Sequence, residues 1–166
     1  MADAAAPAAD AVIRPATDAD FDALLELDWS SAVYHAGLDP EVYRVPDQDA
    51  VAAFLRRRLA DPGREVLVAE VAGTVVGMVD VTMAEEPDPG SILSPVPTAD
   101  LGISVLEGWR RRGIGRALMA AAEQSARRRG ARQVVLDMSS ANADALRFYR
   151  SLGYVTRELV LRRPMD

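Results

Sequence analysis

The sequence predicts a single α/β domain, and three observations carry that prediction. The 166 residues fit one domain of ordinary size. Apolar residues make up 49% of the chain and charged residues 27%, which permits a packed core and excludes a disordered or fibrous protein. Short runs rich in β-branched residues alternate with segments whose apolar residues recur every three to four positions, as in strands and helices. We expect residues 1–10 to be a disordered tail and residues 11–166 to be the domain.

The first half of the chain predicts strands and helices in the following order. A short strand at 12–14 precedes a helix that Thr17 caps and that ends before a loop over 34–46. A second helix covers 49–59, and we expect Val51, Phe54, Leu55 and Leu59 to face the core and Arg56 to Arg58 to be largely exposed. The segments 66–69 and 74–81 predict a hairpin that turns at Ala72-Gly73.

The second half predicts a long loop followed by alternating strands and helices. Four prolines place a loop over 84–98, and loops of that length are often functional. A strand at 101–106 leads through a glycine-containing turn into a helix that begins near Ile114 and ends at Gly130. A strand at 133–138, a helix at 142–152 and a last strand at 155–162 complete the series.

The residue types that the sequence lacks exclude several kinds of chemistry. There is no cysteine, which excludes disulfides, thiolate nucleophiles and cysteine-based zinc sites. All 19 basic residues are arginine, which excludes Schiff-base catalysis and the lysine of the GxxxxGK phosphate loop. His35 is the only histidine and no G-x-S-x-G motif accompanies it, so a Ser/His/Asp triad is not expected. We expect no metal site.

Charge is divided unevenly along the chain. Residues 1–106 contain 6 arginines against 19 acidic residues, and residues 107–166 contain 13 against 6. This division suits a cationic ligand in one half and an anionic ligand in the other, although arginine-rich helix faces can also be merely solvated. A pI near 4.9 and the few aromatic residues beside Arg110 to Arg112 and Arg127 to Arg129 argue against nucleic-acid binding. The sequence shows no membrane segment or secretion signal, so we expect a cytoplasmic protein.

The turn between the strand at 101–106 and the following helix is suited to binding a phosphate. Two glycines, Gly113 and Gly115, let the backbone approach a ligand, and a helix N-terminus offers unpaired N–H groups to an anion. A pyrophosphate would be held by the amides of Arg111 to Arg116 with the arginine side chains adding charge. A structural glycine at the start of a helix is an equally good explanation of this motif alone. A dinucleotide-binding G-x-G-x-x-G is excluded, because Leu118 stands in place of the third glycine.

Two motifs together resemble the GNAT superfamily of N-acetyltransferases. The segment Ile103-Ser104-Val105, followed by Arg110 to Leu118, is similar to the family's cosubstrate-binding strand and its Q/R-x-x-G-x-G/A loop. Asn142 and Tyr149, seven residues apart on the later helix, have the spacing seen in the family. The resemblance spans nearly the whole chain and implies a GNAT-like mixed, mostly antiparallel central sheet of six to seven strands flanked by about four helices.

The resemblance also implies a role for each motif residue. Acetyl-CoA, as cosubstrate, would lie against Ile103, Ser104 and Val105, with its phosphates on Gly113, Ile114 and Gly115 and on Arg110, Arg111, Arg112 and Arg116. The Val105 N–H would face the thioester oxygen, Asn142 would bond CoA, and Tyr149 would protonate the leaving thiolate. Asn142 could instead be only a helix cap, and Tyr149 only a core aromatic beside Phe148 and Leu152.

The base that deprotonates the amine is the least determined of these roles. Asp137, at the end of the strand before Asn142, stands where some family members carry a carboxylate that relays a proton through water. Asp100, Glu26, Asp28 and His35 are alternatives, and a strand-end carboxylate capping local amides is a structural explanation of Asp137. His35 could equally be a loop histidine bonded to the backbone.

The resemblance therefore implies an acetyl-CoA-dependent N-acetyltransferase that moves an acetyl group directly to a primary amine, either a small cationic amine or a peptide amine. Direct transfer is expected because no cysteine can carry an acetyl intermediate. A catalytically silent acyl-CoA-binding regulatory module with the same fold is the alternative. A homodimer is compatible with either reading. Room for only one strand after Gly153, where many relatives have a two-strand hairpin, leaves the acceptor pocket open.

Overall fold

The computed structural model describes residues 11–165, so the tail expected at 1–10 lies outside the described residues. The strands are β1 (Val12–Pro15), β2 (Arg64–Val71), β3 (Thr74–Met83), β4 (Thr98–Val105) and β5 (Gln133–Val135). The helices are α1 (Phe21–Leu38), α2 (Gln48–Ala60), α3 (Ile114–Arg128) and α4 (Ala143–Ser151). Short 3-10 turns at Asp18–Asp20 and Glu107–Trp109 precede α1 and α3.

The five strands form one sheet in the order β1-β2-β3-β4-β5. The pairs β1–β2, β2–β3 and β3–β4 are antiparallel, and the pair β4–β5 is parallel. The turn between β2 and β3 passes through Ala72 and Gly73, both with positive φ, which confirms the expected hairpin. A mixed, mostly antiparallel sheet with four helices therefore confirms the fold class.

Helices cover both faces of the sheet and divide the core into two clusters. α3 packs on one face through buried Leu118, Met119 and Ala122 against Val79 and Val81 of β3. α1 and α2 pack on the other face through Leu24, Leu27 and Leu55, which meet Val68 of β2 and Met78 of β3. Side chains of β3 and β4 alternate between the two faces, as the two-residue period of a strand requires. Asp80 and Asp100 consequently lie on the α1 side, the face that also carries Met78.

The expected count of six to seven strands is wrong, because the described chain holds five. Residues 155–162 form no strand, and their backbone is bonded to no neighbouring strand. Their apolar side chains remain exposed, and Arg162 pairs with Glu41 in the loop after α1. The adjacent edge strand is also shorter than expected, since β5 ends at Val135 rather than at residue 138. A β-rich sequence becomes a strand only where a partner edge accepts its hydrogen bonds.

Two helix predictions also need correction. α1 continues through Gly37 to Leu38 instead of ending before Tyr34, because one exposed glycine in the last turn costs a long helix only about 1 kcal/mol. The buried face of α2 is rotated from the expected one. Phe54 is exposed, whereas the Arg58 side chain is only 8% exposed and makes buried ion pairs.

Candidate active site

The pairing between β4 and β5 stops early and leaves part of the β4 backbone open. The last paired residues are Asp100 and Val135. Because the Leu106 N–H donates to the Val76 carbonyl, antiparallel alternation turns the backbone groups of Ile103 and Val105 away from β3 and toward this opening. The backbone of Ser104 faces β3, and its hydroxyl donates to the Leu27 carbonyl at 3.4 Å. An extended ligand could therefore pair with Ile103 and Val105 as an additional strand.

A helix N-terminus lies at the end of this opening. Gly113 precedes α3 with φ of 85°, a left-handed conformation that side chains rarely adopt, so glycine is required here. The first N–H groups of α3 lack partners within the helix and carry its positive dipole. Gly115 is needed for a different reason, since a Cβ there would come within 3.2 Å of Phe148 Cζ on α4. Gly113 thus leaves the N–H groups at the start of α3 accessible to an anion, and Gly115 allows α3 and α4 to pack closely.

The arginines of this loop, all largely exposed, are attached to the surrounding elements. The Arg110 Nε donates to the Val105 carbonyl at 3.1 Å, and Arg112 lies over the Trp109 ring at 5.0 Å. Arg111 pairs with Asp144 at 3.3 Å, and Arg116 donates to the Ser151 hydroxyl at 3.3 Å. Arg111 and Arg116 thus link the loop to α4, while guanidinium groups remain accessible to an anionic ligand.

α4 brings Asn142 and Tyr149 to the opposite wall. Asn142 is buried and caps α4 by accepting the Ala145 N–H at 3.0 Å, which confirms the cap. Tyr149 packs beside Phe148 and Tyr154, with ring centroids 5.3 and 5.9 Å away. Burial raises the pKa of the Tyr149 phenol, so the group stays protonated at neutral pH. Tyr149 is thus part of the core periphery, and its protonated phenol also lines a cavity.

These walls enclose a cleft of about 770 Å³. Its lining includes β4 from Leu101 to Val105, Gly113 and Gly115, Asn142, Tyr149 and residues of α1. A larger groove of about 1970 Å³ lies beside it, between β5 and residues 155–162. Six residues line both the cleft and the groove, namely Asp28, Ser31, His35, Asp137, Met138 and Tyr149. Two ligands could therefore approach Tyr149 from different sides and meet there.

Carboxylates on the α1 side of the sheet border the cleft. Asp28 of α1 and Asp80 of β3 lie on either side of buried Arg58, at 2.8 and 3.7 Å. Arg64 reaches Asp80 from β2 at 3.2 Å. Burial raises the pKa of both Asp28 and Asp80, and the charge of Arg58 opposes this shift. Asp80 lies next to Gly102, whose missing side chain leaves space in front of the carboxylate.

The remaining candidate bases occupy different environments. Asp137 is exposed and lines both hollows, beyond the paired part of β5. Asp100 lies nearby on β4, where partial burial and then the charge of Asp137 raise its pKa. His35 bonds the Ser31 carbonyl at 2.8 Å, the backbone contact expected of a structural histidine, although from a helix and not a loop. Glu26 is exposed on α1 and does not line the cleft.

Three residues that line the cleft, Tyr34, Arg58 and Asp80, were not singled out from the sequence. Tyr34 and Arg58 were hidden by errors in helix prediction. The series Leu27, Ser31, Tyr34 and Leu38 continues the apolar face of α1 at three-to-four spacing and could have placed Tyr34 on the helix. The series Val51, Leu55 and Arg58 would have placed the arginine on the buried face of α2.

The family model described as Acetyltransferase (GNAT) family matches residues 21–154. The chain belongs to the GNAT acetyltransferase family. The match includes α1 through α4 and all the motif residues discussed above, and it makes this protein an N-acetyltransferase.

Curated relatives of this GNAT protein are N-acetyltransferases. It is 32% identical over 124 residues to an aminoglycoside N(6')-acetyltransferase type 1 of Stenotrophomonas maltophilia, covering 73% of this chain and 80% of the relative. It is 31% identical over 149 residues to the L-amino acid N-acetyltransferase AaaT of Escherichia coli, covering 86% and 82%. These relationships favour a catalyst over a silent module.

Solved structures show the same fold. A tetramutant of the BH1408 protein from Bacillus halodurans superposes with a TM-score of 0.85 at 20% identity, covering 93% of this chain and 99% of that one. AAC(6')-Iy in complex with the bisubstrate analogue CoA-S-monomethyl-acetylneamine superposes with a TM-score of 0.70 at 24% identity, covering 94% and 98%. Within the described part of this GNAT chain, no group of three or more acidic or histidine residues is placed to hold a metal ion. Nor is any helix in residues 11–165 long and apolar enough to span a bilayer.

Proposed function

We propose that residues 11–166 act as one domain that transfers the acetyl group of acetyl-CoA directly to a primary amine in the cytoplasm. The observation that carries the proposal is the cleft itself. It joins an unpaired stretch of β4 and the open N-terminus of α3 to the protonated Tyr149 phenol. The names of the relatives and the CoA analogue bound by AAC(6')-Iy support acetyl-CoA as the cosubstrate.

The cosubstrate would bind along the open edge of β4. The pantetheine amides would pair with the backbone of Ile103 and Val105, beside Ser104. The pyrophosphate would accept hydrogen bonds from N–H groups at Gly113 to Arg116, and Arg110, Arg111 and Arg112 would add positive charge. Asn142, which caps α4 in the facing wall, would lie beside the pantetheine arm.

The chemical step would take place where the cleft and the groove meet. The amine attacks the thioester carbon, and the oxygen that becomes negative accepts a hydrogen bond from the Val105 N–H. Tyr149 then gives its proton to the leaving thiolate, a role that its raised pKa allows at neutral pH. Asp137, exposed at the junction, would take the amine's proton through water. No cysteine is present to hold the acetyl group, so transfer is direct.

The acceptor is a cationic amine that enters from the groove. Asp28 and Asp137 border the junction of the two hollows, and Asp80 lies in the cleft beside Asp28. The exposed Asp137 carboxylate would attract a second ammonium group on the acceptor, and Asp28 and Asp80, whose charges Arg58 and Arg64 balance, would accept hydrogen bonds from that group near Tyr149. The aminoglycoside acetyltransferases among the relatives act on such molecules, and the L-amino acid acetyltransferase shows that a smaller amine also suits the family.

The test is a calorimetric titration with acetyl-CoA followed by a thiol-release assay over a panel of amines. We expect acetyl-CoA to bind and thiol to be released only when an amine is added. Binding without release for any amine would favour the acyl-CoA-binding regulatory module. No binding of acetyl-CoA would refute the proposed placement of the cosubstrate.

A further inference from the structure

Tyr34 connects two parts of the cleft that are far apart in the sequence. It lies near the C-terminal end of α1, and its hydroxyl donates to the Asn142 Oδ1 at 3.3 Å. The Arg110 guanidinium lies over its ring, 4.4 Å from the centroid, within the range of a cation–π contact. His35 meets the same ring edge-to-face at 5.6 Å. Tyr34 thus contacts both the β4–α3 loop and the first residue of the α4 wall.

The two partners of Tyr34 are residues that fix the geometry of those walls. Arg110 also donates to the Val105 carbonyl, so its position is tied to the end of β4. Asn142 uses the same Oδ1 to cap α4, the helix that carries Tyr149. A shift of Tyr34 would therefore be transmitted to both the Val105 backbone and the start of α4.

The other polar links between the loop and α4 are exposed to solvent. The Arg111–Asp144 pair is 78% and 57% exposed on its two sides, and exposed pairs contribute at most about 1 kcal/mol. The Arg116–Ser151 hydrogen bond is also exposed. Tyr34 is half-buried, and its partner Asn142 is buried, so this connection is shielded from competition by water.

We propose that Tyr34 is a positioning residue for acetyl transfer, which holds Arg110 and Asn142 so that the β4 edge and Tyr149 face each other across the cleft. This inference rests on the proposed function, because it concerns the same cosubstrate site. The two contacts of Tyr34, with Arg110 and with Asn142, have separate effects. The ring holds the arginine beside the cosubstrate, and the hydroxyl holds the helix that carries the proton donor.

Two substitutions separate these contacts. Tyr34→Phe keeps the ring under Arg110 and removes the hydrogen bond to Asn142. We expect the Kd for acetyl-CoA to stay within about twofold, whereas kcat falls about fivefold, the effect of one lost hydrogen bond. Tyr34→Leu removes both contacts, and we expect it to raise the Kd for acetyl-CoA about tenfold in addition to lowering kcat.

The matched controls are Tyr43→Phe and Tyr43→Leu. Tyr43 belongs to the same aromatic group, with its ring 5.2 Å from that of His35, and makes no hydrogen bond or cation–π contact with Arg110 or Asn142. We expect these variants to leave the Kd for acetyl-CoA unchanged within about twofold, as is usual for substitutions away from a binding site. A double-mutant cycle of Tyr34→Leu with Arg110→Gln should show that the two effects on Kd are not additive.

The experiment is calorimetric titration of acetyl-CoA into the wild type and these variants, with kcat from thiol release and melting temperature measured in parallel. A Tyr34→Leu variant that melts earlier but keeps the wild-type Kd and kcat would show that Tyr34 only packs α1, and would overturn the proposal. An additive cycle with Arg110→Gln would overturn the ring contact as the cause. If the wild type binds no acetyl-CoA, the proposed function fails and this inference fails with it.

Discussion

The proposed cosubstrate side of the cleft and its proposed acceptor side are built in different ways. The cosubstrate side comes mainly from one continuous stretch, β4 through the start of α3, and relies on backbone N–H groups and exposed arginines. The acceptor side combines Asp28, Arg58 and Asp80 from three elements distant in the sequence, and its charges are buried and paired. A local motif can hold an invariant ligand such as a pyrophosphate, whereas a long-range cluster can change with each acceptor.

Tyr149 stands where the two sides meet, so its loss should have the largest effect. Tyr149→Phe removes the proposed proton donor to the thiolate, and we expect kcat to fall about 10²-fold or more while the Kd for acetyl-CoA is kept. Thiol-release kinetics and calorimetry measure the two quantities. Tyr154→Phe is the matched control, since its hydroxyl bonds Glu123 on α3 instead of facing the cleft. An unchanged kcat in Tyr149→Phe would remove this residue from the mechanism.

Gly113→Leu tests the cosubstrate side alone. A side chain at φ of 85° costs about 1–3 kcal/mol of backbone strain and would enter the proposed phosphate seat. We expect the Kd for acetyl-CoA to rise at least about tenfold.

Gly130→Leu provides the control for strain. Gly130 has φ of 91° at the other end of α3, so the same substitution there imposes similar strain away from the cleft. If both variants bound acetyl-CoA equally well, the placement of the phosphates on the Gly113 turn would be wrong.

Asp28→Asn tests the acceptor side alone. We expect the KM of a dicationic amine to rise about fivefold, because the substitution leaves the positive charge of Arg58 unbalanced beside the acceptor, with the KM of a neutral amine and the Kd for acetyl-CoA unchanged. Asp22→Asn removes the same charge from an exposed position of α1, and we expect it to leave both KM values and the Kd for acetyl-CoA unchanged. An equal rise for dicationic and neutral amines would show that Asp28 acts on the fold and not on acceptor charge.

The pH dependence of acceptor preference should be the smallest effect. Burial raises the pKa of Asp28 and Asp80, so both carboxyls take up protons at a higher pH than an ordinary aspartate near 3.9. The preference for cationic amines is therefore expected to weaken as the pH falls toward these raised values, at a higher pH than an ordinary aspartate would require.

The ratio of kcat/KM for a dicationic amine to that for a neutral amine of matched pKa measures this preference. At each pH the two amines have the same fraction of free base, so this fraction cancels in the ratio. A change in the ratio with pH therefore reports the charges of the two carboxyls. A ratio that stays constant down to about pH 4 would exclude a role for Asp28 and Asp80 in selecting the acceptor.

Features that depend on adjacent residues were predictable from the sequence, whereas those that combine distant residues were not. The turn at Gly113, the cap at Asn142 and the hairpin at Ala72-Gly73 were predictable because each depends on a few adjacent residues. Arg58 was expected to be exposed, because an arginine is rarely buried without a partner and its partners, Asp28 and Asp80, lie 30 and 22 residues away. Only the folded chain brings these residues together.

The ends of elements were the least predictable feature. Tyr34 was assigned to a loop because Gly37 and Pro40 suggest a break, yet α1 continues to Leu38. The strand expected at 155–162 has a suitable composition but no hydrogen-bonded neighbour. In both segments tertiary contacts decided the outcome, and the contacts of Tyr34 with Arg110 and Asn142 could not be inferred from local sequence.

The central claim is that this cleft transfers acetyl groups from acetyl-CoA to amines with Tyr149 as the proton donor. The most direct test is mass-spectrometric detection of the acetylated amine after incubation of acetyl-CoA and a dicationic amine with the wild type and with Tyr149→Phe. We predict that the wild type adds one acetyl group and that the variant does so about 10²-fold more slowly. Equal rates for the two proteins, or no acetylated product from a wild type that binds acetyl-CoA, would contradict the claim.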